Sequence, residues 1–148
     1  MSTPRDWLDI EALVIAKLTA DVAAAKSVQP YAGQLDDVVE GRLVKGFPLL
    51  AVLFVGDAPE QIDGPNYHMP TDFAVLAVAH TLRGPEDTRV GAGLMVRAAR
   101  ASLVNARLAS NLECVLPGPA STLYSTPTVT AIQMAFSVAW DQGFQWQA

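Results

Sequence analysis

From Thr71 to Leu82 the chain alternates Phe73, Val75, Ala77 and Ala79 with Ala74, Leu76, Val78 and His80, then passes through Arg83-Gly84-Pro85 toward an arginine-striped helix. A period of two sends successive side chains to opposite faces of an extended strand, and a strand of this length reaches about 40 Å at ~3.3 Å per residue. That reach exceeds what a small core requires. The same signal returns between Thr126 and Trp140, where Ile132, Met134, Phe136, Val138 and Trp140 alternate with Ala131, Gln133, Ala135, Ser137 and Ala139. One apolar face and one small or polar face are expected there. Long strands beside a charged helix suggest a surface built for another subunit.

The rest of the chain fills in around these strands. Asp6 reads as the N-cap of a helix from Trp7 to Lys26, with Trp7, Ile10, Val14 and Leu18 at helical spacing and Ala23-Ala24-Ala25 closing it. Ser27 to Tyr31 reads as a short edge strand, because Pro30 has no donor for an interior ladder and holds Gln29 out of the helical region. Leu35 to Val44 has the pattern of a short helix, weakened by Gly41. Phe47-Pro48 restarts the chain, and Leu49 to Val55 is apolar almost without break, as suits a central strand covered on both faces. Gly56 to Pro70 carries prolines, Gly64 and acids, a composition that predicts a long irregular loop. Pro85, Glu86 and Asp87 suit the first turn of a helix whose inner face is expected at Leu94, Ala98 and Ala101, with Gly91 and Gly93 letting it lie close to the sheet. A brief strand at Leu112 to Leu116 and a turn at Pro117-Gly118-Pro119 precede the last strand.

With 148 residues and no repeat or linker, the chain reads as one domain over 1–148, ending in a short aromatic tail at 141–148. The expected class is α+β: a mainly antiparallel sheet with two long helices packed on one face. Charged residues make up only 17 %, against about 25 % in average domains, so part of the apolar surface is expected to meet a partner. No run reaches the ~18 apolar residues that span a bilayer, and the first residues lack a signal-like pattern. Neither secretion nor membrane insertion is expected. A single cysteine, Cys114, allows no intrachain disulfide and fits a reducing compartment. It reads as a small buried hydrophobe.

The net charge of −5 argues against sequence-specific nucleic-acid binding, which needs a basic footprint. The charge is unevenly spread. Arg83, Arg89, Arg97, Arg100 and Arg107 cluster late, whereas Asp57, Glu60, Asp63 and Asp72 lie in a stretch without Lys or Arg. On a helix, Arg89, Arg100 and Arg107 fall within about 20° of one another and Arg97 about 80° away. Such a stripe is either a solvated outer face or an intersubunit surface answered by Asp57, Glu60 or Asp63 of a neighbour through bidentate pairing. Phe144 and Trp146 either fold back on the core or form an arm that docks on a partner.

Catalytic signals are weak. No G-x-S-x-G elbow is present, His80 falls in a strand and His68 in the proline-rich segment, each without an identified nucleophile. Gly91-Ala92-Gly93 lacks both the third glycine and the preceding strand of a dinucleotide fingerprint. Asp57, Glu60 and Asp63 lack the alternating spacing of a calcium loop and read as solvated acids. No catalytic residue, cofactor or metal is expected.

Several stretches together carry a family resemblance: Ile10-Glu11-Ala12-Leu13-Val14-Ile15-Ala16-Lys17-Leu18, Val28-Gln29-Pro30-Tyr31, Phe47-Pro48 running into the apolar strand, Leu82-Arg83-Gly84 before a long helix, and the closing strand to Trp140-Asp141. In these the chain resembles the tail terminator, or minor tail protein, of Mu-like phages and prophages, over about Ile10 to Asp141. The resemblance implies a non-enzymatic structural protein of the virion tail, assembled in the bacterial cytoplasm. It further implies a homo-oligomeric, hexameric ring that caps the tail tube, stops its polymerisation and offers a surface for head joining. Implied partners are further copies of the chain, the tail tube protein and a head-tail connector, with DNA passing through the ring. A tail-completion or connector protein is the alternative within the virion. From a different class, a small enzyme or ligand-binding domain would place its site under 56–70, at Asp63, Tyr67 and His68.

Overall fold

The computed structural model describes residues 6–33, 47–80, 85–126 and 128–143. The expected helix at 35–44 and the tail residues Phe144 and Trp146 lie outside them. The order of elements is α1 (Trp7–Asp21), β1 (Ser27–Pro30), β2 (Leu49–Asp57), β3 (Glu60–Asp63), β4 (Asn66–His80), α2 (Pro85–Leu103), β5 (Leu116–Ser125) and β6 (Val129–Gly143).

Asp6 caps α1: its carboxylate accepts the backbone N–H groups of Leu8 and Asp9 at 3.0 and 3.2 Å, satisfying donors that have no partner within the helix. Asp6→Ala is expected to cost about 1 kcal/mol, read as a drop in the urea midpoint. Ile10, Val14 and Leu18 form the buried stripe. The helix stops at Asp21, short of the expected Lys26, because Val22 leaves the helical conformation while its side chain still fills the core. Lys26 then donates its N–H to the Pro48 carbonyl at 2.8 Å, which starts the approach of β1 to β2.

The six strands form one sheet in the order β1-β2-β4-β6-β5, with β3 paired to β4. This sheet is mixed and dominates the structure, which corrects the expected α+β class with its mainly antiparallel sheet. β1 runs parallel to β2, from Ser27↔Leu49 to Pro30↔Val52. Alternation identifies a strand but not its sense; the sense depends on where the connection returns the chain, and a parallel pair needs a long crossover. Residues 31–48 provide that length.

Both helices pack on one face, where Ile10, Val14 and Leu18 meet Leu50, Phe73, Met95, Phe136 and Trp140 in the main core. The opposite face carries a second cluster of Leu49, Ala51, Ala74, Leu76, Val78, Val129 and Ala131. Apolar residues on both faces are what a continuous apolar β2 demands. On α2 the buried side runs through Ala92, Met95, Ala99 and Leu103, while Leu94 is half exposed. The inner face is therefore rotated around the helix from the one expected at Leu94, Ala98 and Ala101. An added Cβ on Gly91 would stand 3.5 Å from Ala79, so this glycine does face the sheet closely. Ser102 of α2 donates to Asp21 of α1, which Lys17 also holds at 2.8 Å. The bonds from Lys17 and Ser102 keep the Asp21 carboxyl below its usual range.

Residues 56–70 are not an irregular loop. β2 ends in a bulge at Val55, β3 takes up pairing with the start of β4, and Gly64 turns the chain with a φ of 43°. Glycine tolerates that left-handed conformation best. Pro70 lies inside β4, where its carbonyl accepts from Ala58 at 3.1 Å. Backbone N–H and C=O of one strand residue point the same way, so the missing donor faces the break between β2 and β3, where no ladder bond is lost. Likewise Pro117, Gly118 and Pro119 belong to β5, an edge strand with a register shift at that point. Proline is tolerated at an edge and at bulges.

Candidate assembly surfaces

β4 and β6 pair without interruption from Asn66↔Gly143 to His80↔Val129. With β3 they form an acidic tip at this end of the sheet. β3 is exposed along its whole length, and Ile62 stands 55 % accessible there. In register, Glu60 lies opposite His68, and His68 opposite Asp141, so the three form a row across the tip. His68 Nδ1 stands 2.7 Å from the Asp141 carboxylate. That hydrogen bond, reinforced by the negative charges of Glu113, Asp141 and Glu60, raises the His68 pKa.

Because the folded value lies above the unfolded one, the pair's contribution is complete below the ordinary imidazole pKa and is lost as pH rises through the raised value. Asp141→Asn is therefore expected to lower the His68 titration midpoint, followed by NMR of the ring protons. An unchanged midpoint would show that the pair does not form in solution.

The other residues expected at the tip are scattered along it. Asp57 closes β2 opposite Thr71, and Asp63 accepts the side-chain amide of Asn66 at 2.7 Å. Tyr67 packs against the main core, and as the strand neighbour of His68 it leaves the sheet on the other face. Asp63, Asn66, Asp141 and Gln142 border an open depression. Among the described residues, no group of three or more His, Cys, Asp and Glu is arranged to hold a metal. His80 sits far along β4 with its ring 5.7 Å from that of Phe47. Cys114, expected to be buried, is exposed in the segment leading to β5. Leu112 and Val115 on either side of it fill the core instead.

The arginine stripe does not survive as one surface. α2 ends at Leu103, so Arg107 leaves the helical array. Arg89 and Arg97 are exposed on α2. Arg100 turns toward the sheet and donates from Nη2 to the Gly118 carbonyl of β5 at 3.1 Å, its Nε buried without a partner among the described residues. Val90, Leu94, Arg97 and Ala101 instead share the outer side of α2, opposite the buried Ala92, Met95 and Ala99, with Val90 and Leu94 both about half exposed.

On the helix-free face, a trough of about 350 Å³ opens between Val55, Asp72, Ala74, Ala135, Ser137 and the Pro117–Pro119 segment. Its floor is alanine and its rim includes Val55 at 59 % exposure. Sequence reasoning noted Asp72 only as one acid of a group. Its place opposite Ser137 depends on pairing between strands far apart in the chain, which no local pattern reveals.

A sheet apolar on both faces, with an exposed acidic tip and an apolar cationic helix side, has the build of an assembly subunit. The family model described as "Bacteriophage Mu, Gp37" matches residues 8–145, and the chain belongs to that family. Its fold is similar to that of a chain in the virion of a native gene transfer agent particle, with a TM-score of 0.62 and 15 % identity, over 90 % of this chain and 95 % of that one. No curated protein matches the sequence. The family match bears out the expected relation to Mu-like phage proteins, and the structural likeness shows that the fold is one found in a virion particle.

Proposed function

We propose that the chain is a tail terminator: a single domain over 1–148 that closes into a ring, hexameric in the simplest case, caps the tail tube, stops its growth and offers a surface to the head-tail connector. The observation that carries this reading is the polarity of the subunit. Arg89 and Arg97 lie on the outside of the helical layer, while Asp57, Glu60, Asp63 and Asp141 occupy the sheet tip. Unlike surfaces on one subunit favour heterologous, head-to-tail contacts, and such contacts close into rings when the rotation per copy permits. Family membership supports the phage setting. A ring of this kind is structural and non-enzymatic, is assembled in the bacterial cytoplasm, and lets DNA pass through its centre.

The test is the native mass of the purified protein by light scattering, followed by electron microscopy with polymerising tube protein. Closed rings that sit at one tube end and shorten tubes at substoichiometric amounts are expected. Rings that bind the connector but leave tube length unchanged would favour a connector or completion protein instead. A monomer without effect on tubes would overturn the proposal.

A further inference from the structure

We infer that the contact between neighbouring copies is made by the outer side of α2 of one copy seated in the helix-free trough of the next, with Arg97 meeting Asp72. This inference rests on the ring reading above and names its interface. The two surfaces match in chemistry. One presents Val90 and Leu94 around a cation, and the other presents Val55 and an alanine floor around an acid.

Both charges are exposed, and neither Arg97 nor Asp72 has a hydrogen-bond or ion-pair partner among the described residues. Pairing across the contact gives each a partner, and the guanidinium fork suits a carboxylate flanked by apolar surface. The trough has room for an aliphatic side chain, and its floor at Ala74 and Ala135 is low because those residues are small. Leu94 is placed one turn from Arg97 on the same side of α2 and is the natural occupant.

The two surfaces also lie on opposite faces of the sheet, since α2 packs on the face bearing Phe73 and Phe136 while Asp72, Ala74 and Ala135 point the other way. One copy can therefore offer α2 to a neighbour while receiving another neighbour's α2, as head-to-tail growth requires. A second copy is the occupant we commit to, on charge complementarity and on this placement.

The experiment is charge reversal in the full chain, read by native mass. Arg97→Glu and Asp72→Lys are each expected to weaken self-association by about tenfold or more, with far-UV dichroism unchanged because both positions are exposed. Mixing the two variants in equal amounts should restore closed assemblies of even copy number. In an alternating ring the introduced carboxylate meets the introduced ammonium at one contact, and Arg97 meets Asp72 at the next. The variant carrying both reversals should assemble alone. Single variants that assemble like the wild type would overturn this interface and leave the ring reading standing. Single variants that dissociate, with neither the mixture nor the double variant recovering, would overturn the pairing as well. A wild-type chain that stays monomeric with and without tube protein would remove the ring reading and this interface together.

Discussion

Phe73→Ala is expected to destabilise the protein by about 3–5 kcal/mol, through lost transfer energy and the cavity left behind. Phe73 is only 1 % exposed and lies in register with Phe54 on one side and Phe136 on the other. Its ring meets Phe54 edge to face at 6.0 Å, and Phe54 in turn stacks on Trp7 at 4.7 Å. One truncation therefore loosens the contact of α1 with β2 as well as the centre of the β4–β6 ladder. Against a typical total stability of about 5–15 kcal/mol, this is a large fraction. The urea midpoint should fall with little change in slope, and Phe73→Leu should show only part of the loss because it keeps more volume. A cost below about 1 kcal/mol would mean that the aromatic side chains do not pack in this way.

Gly118→Ala is the second large effect, expected at about 1–3 kcal/mol. A Cβ at that position would stand 2.8 Å from the Ala135 Cβ and 3.0 Å from the Ala135 carbonyl oxygen. The obstacle includes backbone of β6, which cannot swing aside as a long side chain could. β5 would have to lift, and the Arg100 hydrogen bond to Gly118 would lengthen with it. Faster hydrogen exchange confined to β5, with β4 and β6 still protected, is the expected signature. Unchanged melting and exchange would show that β5 stands farther from β6 than these distances require.

Much of the fold was legible because local chemistry acts over a few residues. Asp6 announced the start of α1, Pro30 marked β1 as an edge, and the alternation from Ile132 to Trp140 identified the face that meets the helices. Prolines misled in a consistent way. Pro70 and Pro117 carry the signature of loops, yet Pro70 turns its missing N–H to a break between strands and Pro117 lies on an edge strand beside a register shift, facts about neighbours and not about the residue itself. The arginines show the same limit. Helical spacing grouped Arg100 with Arg89 and Arg107, but an end of α2 at Leu103 and the nearness of β5 separated them.

What the chain's own order of residues settled was the two long helices, the apolar β2, the alternating cores of β4 and β6, and the family to which it belongs, because those depend on steric preference, side-chain period and short motifs. The tertiary structure alone decided that β1 runs parallel to β2, that His68 faces Asp141, and that Asp72 opens onto a trough on the face opposite α2. Strand direction and register bring together residues tens of positions apart, and the energy that selects them comes from burying both faces of one sheet at once.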